Sequence, residues 1–482
     1  MKHMFTGIGI SQKDNLIEAG KEAAQKAKQE LTKELSKENK EYKKPNLLMF
    51  FCTFTYPKEQ YEPAQKQIIK VFEAQKQGEA KIPLIGGTTM GFFAKDKYYF
   101  DPSLMGKYGE IALKALGKVF KPLKFTGSVV LALQSDYINL GVGIGENAFE
   151  KPYEAGKISI EMAGKNLMFN PQLAYMSMLK RGVKDISKIR PVNGFLITPG
   201  GDKQGLFHDS QILEGVTSIS KTALRIQGGG LCMGFSESGA TVLPGFIFYQ
   251  GKVYKEAVIS VILGSELEIG YGVGTGFRPL KNIGLITKIK DPWTIEEIDG
   301  KPAPQVFMQV YSKYAPPNKR EEFIKNFAVS SAHGYMPIIA EPGGNFFWPI
   351  LPNAEKIGEK EVKFMMPVKQ GMSLSLGKVT KEACKEATID ATQLMIEDID
   401  SKNFGFVLFF SCAVRGLYLG KEYIAEIKKI KETLGNKDIP VFGIASSGEQ
   451  AFYKTGSPVG TGLTITIMGI SNESIFISKE AR

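Results

Sequence analysis

The sequence has four cysteines, Cys52, Cys232, Cys384 and Cys412, and none stands at the paired spacing of a zinc or redox motif. A disulfide framework and a cysteine metal site are therefore not expected, no other metal site is indicated, and a reducing compartment fits the chain best. Histidine is as sparse: His3, His208 and His333 stand apart and form no recognisable pairing with a nucleophile. No run approaches the eighteen or more apolar residues of a membrane span, and the start of the chain lacks a signal-peptide core and cleavage site. Walker and dinucleotide fingerprints are missing, as are low-complexity stretches and Gly/Ser tethers. The expectation is a cytoplasmic protein with no membrane span.

Positive charge is in excess, +11 with a pI near 9.1. Many of the lysines lie between Lys21 and Lys44 and between Lys421 and Lys437, interleaved with glutamates at helical spacing. That is the pattern of a solvated helix face. There is no arginine-rich run and no basic-aromatic motif, so no specific nucleic-acid partner is expected. At 482 residues, 43% of them hydrophobic, the chain is long enough for two or three domains with real cores.

The most informative stretch runs from Phe406 to Gln450. Five apolar residues, Phe406 to Phe410, break into Ser411-Cys412-Ala413-Val414-Arg415-Gly416, a buried strand emptying into a loop. Tyr423, Ile427, Ile430 and Leu434 follow at helical spacing, and Ile439 to Gly443 then ends in Ser446-Ser447-Gly448-Glu449. This reads as a parallel strand-helix-strand unit that brings both loops to one sheet edge. The pattern recurs. Near the start, Ala19, Ala23, Ala27, Leu31 and Leu35 form a four-residue stripe, opened by a helix start at Ser11; strands at Leu47 to Cys52 and Ile82 to Gly86 follow, with a helix from Ala64 to Gln77 between them. Ser128 to Gln134 closes that unit, with Asn139 to Gly145 after it. Late in the chain Ala383, Ala387, Ala391 and Met395 repeat the stripe and Leu463 to Met468 closes the unit. A middle copy places a helix at Leu173 to Leu179, strands at Gly194 to Thr198 and Arg225 to Gly230, a hairpin around Gln250-Gly251, and the strand Ala257 to Leu263.

The expected fold class is α/β (mixed α+β): repeated strand-helix-strand-hairpin units forming layered mixed sheets in two domains. The first domain is residues 1–314, holding two related units at about 1–165 and 166–314; the second is 315–482. Ala315 to Arg320, a proline pair beside charges, is the linker candidate.

The chain resembles FIST-domain proteins over nearly its full length. The likeness rests on Ile8-Gly9-Ile10-Ser11 with Ala19 to Ala24, on Ile85-Gly86-Gly87-Thr88-Thr89-Met90-Gly91, and on Gly276-Phe277-Arg278-Pro279-Leu280 with Leu285-Ile286-Thr287. It continues through Glu297 to Ala303, Phe410 to Gly416, Pro440 to Gly443, and Ser447-Gly448-Glu449. Two positions depart from the family pattern: Phe277 stands where tryptophan is common, and Gln450 where an apolar residue is common. The resemblance implies N-terminal and C-terminal FIST regions and an intracellular sensory module for small ligands such as amino acids. It also implies a separate signalling partner, for example a histidine kinase. Some bacterial members similar in layout bind haem to sense nitric oxide.

Several residues are candidates for function. Arg415 could clamp a carboxylate or simply bridge to Glu449. Ser411, Cys412, Ser446, Ser447, Gly448 and Glu449 would complete a pocket for a polar ligand such as an amino acid or carboxylate at the strand ends. Cys412 beside a cation is a candidate nucleophile for a transferase, without a partner base. Gly86, Gly87 and Gly229 could cradle an anion or mark close packing, with Arg225 and Arg278 as further ligand contacts or interdomain bridges. His208 is the candidate axial donor if haem is bound.

Overall fold

The computed structural model describes residues 2–73, 81–100, 126–170, 172, 175, 176, 179, 190, 192–221, 224–235, 242–317, 320–325, 330, 331, 333–340, 347–350, 358–452 and 458–474. Within them one unit is built three times. The first comprises β1 (Phe5–Ser11), α1 (Leu16–Lys37), β2 (Leu47–Thr53), α2 (Tyr61–Phe72), β3 (Leu84–Thr89), the hairpin β4 (Gly91–Ala94) and β5 (Lys97–Phe100), and β6 (Ser128–Gln134). The second comprises β7 (Ile138–Glu146), α3 (Pro152–Asn166), β8 (Val192–Thr198), α4 (Asp209–Ser220) and β9 (Arg225–Gly230). It continues with the short pair β10 (Cys232–Phe235) and β11 (Val242–Pro244), the hairpin β12 (Ile247–Tyr249) and β13 (Lys252–Tyr254), and β14 (Ala257–Ser265).

The third unit opens with β15 (Leu267–Thr275) and is then interrupted by an inserted sheet. The insertion holds β16 (Phe277–Asp291), β17 (Thr294–Ile298), β18 (Lys301–Pro302), α5 (Ala303–Tyr311), α6 (Arg320–Lys325), β19 (Tyr335–Ala340), β20 (Phe347–Pro349), β21 (Val362–Lys363) and β22 (Ser373–Val379). The unit resumes with α7 (Lys381–Glu397), β23 (Phe404–Cys412), α8 (Arg415–Leu419), α9 (Ala425–Leu434), β24 (Val441–Ser446), the hairpin β25 (Glu449–Ala451) and β26 (Val459–Thr461), and β27 (Thr464–Ser474).

Each unit makes the same four-stranded arrangement: β1-β6-β2-β3, β7-β14-β8-β9 and β15-β27-β23-β24. The inner pairs β2/β3, β8/β9 and β23/β24 are parallel and the rest antiparallel. The hairpins then leave home. The first unit's β4 pairs with β24 of the third, the second unit's β12 pairs with β3 of the first, and the third unit's β25 pairs with β9 of the second. Exchange in this cyclic order locks three units into a ring and pairs the edge that each sheet would otherwise expose.

The inner faces of the three sheets share one core, with Met49, Phe51, Phe195, Ile197, Leu408 and Phe410 among its members. Alternate residues, Leu48, Phe50, Phe409 and Val407, point the other way onto the helix layer or the inserted sheet. Both faces of these strands are covered, which is why they read as unbroken apolar runs. The small-residue helix stripes meet glycine strands. A Cβ at Gly9 would sit 1.8 Å from the Ala23 carbonyl, one at Gly143 2.1 Å from that of Ser159, and one at Gly272 1.8 Å from that of Ala391. Only glycine allows helix and strand to approach so closely.

Several expectations change. The middle unit's helix is α3 at 152–166, ahead of the Leu173 to Leu179 segment, most of which lies outside the described residues. Asn139 to Gly145, expected to follow the closing strand within the first unit, instead opens the second as β7. The first helix is capped by Asn15, whose side chain accepts from Ile17 and Glu18 N-H, while Ser11 ends β1. The expected second helix ends at Phe72, and its last expected residues, 74–77, lie outside the described residues. Residues 315–320 join α5 to α6 inside the insertion, and β15 pairs with β27, so a division at 315 falls within the third unit and its inserted sheet.

Candidate functional site

The strands β2/β3, β8/β9 and β23/β24 each send a pair of loops off their carboxyl ends, the end where ligands of open α/β sheets bind. Three sets of tips meet. Gly230 N-H donates to Gly448 O at 2.7 Å and Ser447 N-H donates to Gly230 O at 2.8 Å, joining the second and third units. Thr89 Oγ1 donates to Ala445 O at 3.0 Å, joining the first to the third. Cys232 touches all three: it belongs to the second unit and is hydrogen-bonded to Ser447 and to the backbone of Met90. Burial pushes its thiol up to about 12, so it is present as a neutral S-H.

Two buried carboxyls stand beside this junction. Glu449 accepts from Ser446 Oγ at 2.7 Å and from Thr464 Oγ1 at 2.9 Å, and burial lifts its pKa to about 7. Asp209, at the start of α4, accepts from Gln450 Nε2 and from Thr198 Oγ1, and burial lifts it to about 6. Its Oδ2 is buried without a hydrogen-bond partner. Gln450, the departure from the family pattern, thus ties the third unit's hairpin to the second unit's strand end. The inserted sheet rests against the same loops. Phe207 N-H donates to Met365 O, Trp293 Nε1 donates to Phe207 O at 3.2 Å, and Tyr418 OH donates to Ser331 O.

The expected residues divide. Ser446, Ser447, Gly448, Glu449 and Gly229 come together at the junction, Gly229 pairing with Glu449 across β9 and β25. Arg415 does not join them. It is fully buried and turns back toward α7, donating to Glu426 Oε1 at 2.8 and 3.0 Å, to Cys384 O at 2.8 Å and to Thr388 Oγ1 at 3.1 Å. Burial works against its charge, but the facing Glu426 more than offsets this and raises the pKa. The bridge to Glu449 is replaced by one to Glu426, because Arg415 begins α8 and that helix aims it at its neighbours.

Ser411 and Cys412 are buried at the end of β23, and burial holds the Cys412 thiol well above its usual range. That opposes thiolate chemistry. Gly86 and Gly87 serve close packing: a Cβ at either would strike the Phe50 or Phe246 carbonyl. Arg225 lies at the opposite end of β9 from the tips and, with Arg190, holds Asp398. Arg278 is half exposed and pairs with Glu386. His208 is buried between Phe149 and Trp293 with Nε2 on Asp202, so haem ligation through that nitrogen would break the pair. Phe277, the other departure, is buried in the core that includes the insertion. Among the described residues no cluster of His, Cys, Asp and Glu could hold a metal ion, and no helix is long and apolar enough to cross a membrane.

Thr89, Cys232 and Asp209 were not anticipated as functional. The first two were marked by an internal repeat, Gly86-Gly87-Thr88-Thr89-Met90-Gly91-Phe92 against Gly229-Gly230-Leu231-Cys232-Met233-Gly234-Phe235, which places Thr89 against Cys232.

The FIST N domain model matches residues 46–301 and the FIST C domain model residues 308–452. The chain belongs to the FIST family. FIST domains are sensory domains of signal transduction. Uncharacterized protein MJ1623 of Methanocaldococcus jannaschii is 25% identical over 153 residues, which is 30% of this FIST chain and 28% of that protein. The match thus spans under a third of either. Two solved structures align along the chain: a cyanuric acid hydrolase from A. caulinodans, at 9% identity and TM-score 0.29 over 97% of this chain and 99% of that one; and PurLQS from Thermotoga maritima, at 8% and 0.18 over 97% and 73%. At those scores neither bears on this FIST protein's fold or activity.

Proposed function

We propose that this FIST protein is a cytoplasmic sensor that receives a small polar ligand at the junction of the three sets of strand tips and signals through a separate partner. The observation that carries the proposal is the meeting of all three units at Cys232, beside an acid poised near neutral pH. A guest there touches Thr89, Cys232, Ser447 and Glu449, one contact or more from every unit. It can therefore favour one arrangement of the ring over another, which a ligand confined to one unit does less directly.

The chemistry favours an amino group on the guest. Arg415 is committed to Glu426, which removes the cation that a carboxylate clamp needs, whereas Glu449 can give up its proton to pair with an amine. Amino acids are the first class to test. The inserted sheet, resting on the loops after β8 and β23, is the element whose seating would report occupancy.

Thermal shift against amino acids, amines and carboxylates, at about pH 6 and about pH 8 to span the Glu449 pKa, is the test. Amino-bearing ligands should stabilise the protein, and Glu449→Gln should abolish that response. Stabilisation by simple carboxylates that survives Glu449→Gln would defeat the proposal.

A further inference from the structure

The first strands of the three units, β1, β7 and β15, each end a sheet and turn one edge toward a seam with another unit. They align through the glycines beneath the first helices: the carbonyls of Ala27, Ala163 and Met395 face Gly7, Gly141 and Gly270. The next residues, Ile8, Val142 and Tyr271, are therefore equivalent, and so are Glu30, Asn166 and Asp398, three positions beyond the residues whose carbonyls make the contact. In two units the latter residue caps the strand edge. Asn166 Nδ2 donates to Val142 O at 2.8 Å, and Asp398 Oδ2 accepts from Tyr271 N-H at 3.1 Å. In the first unit Glu30 pairs with Lys95 instead, at 2.5 Å.

Which groups of β1 this leaves open follows from the sheet. Asn46 N-H donates to Leu133 O and Thr53 N-H to Gly127 O, so the odd-numbered residues of β6 face β2 and the even-numbered ones bond β1. The partners of those even-numbered residues are Phe5, Gly7, Gly9 and Ser11. Alternate residues of an antiparallel strand present N-H and C=O to opposite edges, so Met4, Thr6, Ile8 and Ile10 face outward. The row is capped at both ends, Met4 N-H by Asn472 Oδ1 at 3.1 Å and Ile10 O by Lys26 Nζ at 3.2 Å. Among the described residues no hydrogen bond reaches the outward backbone of Thr6 or Ile8, although both residues are buried. Buried backbone groups are nearly always paired, so this gap in the row calls for a partner.

Thr6 and Ile8 line a cleft of about 520 Å³ between the first and third units, whose far wall includes Phe404, Pro440 and Val441 at the amino ends of β23 and β24. That volume is in the range of small-ligand sites. At the Met4 end the third unit closes in, since a Cβ at Gly405 would lie 2.8 Å from Met4 Cβ. Four lysines and four carboxylates line the cleft. We propose that it binds a short free peptide, about three residues long, whose backbone adds to β1 at Thr6 and Ile8. The two open residues offer donor and acceptor groups about 7 Å apart, the repeat of an extended chain. The caps at Met4 and Ile10 confine pairing to that length, and a longer strand would have to break them. The balanced charge suits a guest with one free amine and one free carboxylate. This site lies at the other end of the strands from the ligand junction and does not depend on it.

The test is affinity selection of free tripeptides from a mixed library on the full-length protein, followed by amide exchange and calorimetry with the best binder. Exchange at Thr6 and Ile8 should slow. Of the two analogues of that peptide N-methylated at one internal amide, one should bind about tenfold or more weakly and the other like the parent, because only alternate amides face β1. Glu30→Asn, which gives the first unit the cap that Asn166 supplies in the second, should weaken binding by about tenfold or more without lowering the melting temperature. It should leave any amino-acid response of the junction intact, so failure here and failure there are separable. Binding indifferent to N-methylation and to Glu30→Asn would overturn the proposal. So would the absence of any tripeptide binding tighter than about 10 mM, which would leave the edge to water. Decapeptides that bind where tripeptides do not would make the occupant a segment of another protein, and protection at 446–449 in place of Thr6 and Ile8 would move the peptide to the junction; either result would overturn the assignment.

Discussion

Replacing Arg415 with methionine tests the reassignment of that residue from ligand clamp to structural ion pair. Arg415 and Glu426 have side chains 0% and 2% exposed, and removing one member of such a pair typically costs about 3–5 kcal/mol because the other is left buried and charged. The structure gives a ceiling. Glu426 can escape by taking a proton, and burial already pushes its pKa above the ordinary 4.5 against the pull of Arg415. Relative to an unfolded chain in which it is ionised, carrying that proton at about pH 7.4 costs about 4 kcal/mol, and at about pH 5.5 only about 1.4 kcal/mol. The stability lost in Arg415→Met should therefore shrink by more than half on acidification, since a raised carboxyl pKa gives stability that is present at low pH and lost as pH rises. Urea unfolding at the two pH values measures it. Adding Glu426→Leu should restore most of the loss at the higher pH. An Arg415→Met protein with unchanged stability at both pH values but no ligand response would refute the reasoning and return the guanidinium to the ligand.

Glu449→Gln should alter the pH profile in a related way. With a folded pKa of about 7 against 4.5 unfolded, the parent loses about 3 kcal/mol between about pH 4.5 and about pH 7 through this group; the variant should lack that slope and be the more stable of the two at about pH 8, as urea midpoints will show. Trp293→Ala removes the bond to Phe207 O and the contact with His208, and should cost about 1–3 kcal/mol, with faster amide exchange in the loop after β8. Gly9→Ala drives a methyl into the Ala23 carbonyl and should cost about 3 kcal/mol or more, seen as lost soluble yield or a lowered melting temperature. Cys412 in the folded protein should react with iodoacetamide far more slowly than in the unfolded chain, as mass spectrometry of the modified peptide will report.

The repeat was legible because its cause is local. Small residues every fourth position and apolar runs between turns follow from a helix lying close on a glycine strand, and they survive in the first and third units. The middle unit was harder to place because Ser159 interrupts the stripe of Ala155 and Ala163, although Gly141, Gly143 and Gly145 mark the strand beneath it. The hairpin exchange was not legible: a hairpin's own residues do not say which sheet has the free edge it joins. Arg415 was misplaced for a different reason. Its direction is set by α8, and its partner Glu426 lies on the apolar stripe of Tyr423, Ile427 and Ile430, a signal that a carboxylate there faces the core. Half of the candidate site, Ser446 to Glu449, could be read as a loop off a buried strand; the rest comes from two other units, and only the ring brings them together.

The most direct measurement is hydrogen exchange with and without an amino acid that stabilises the protein. The account predicts simultaneous protection of residues 88–91, 230–234 and 446–449, one segment from each unit. Protection confined to a single unit, or to the seam clefts of about 520 and 610 Å³ at the opposite ends of the strands, around Phe404 and Pro440 or around Asn46 and Pro83, would contradict it.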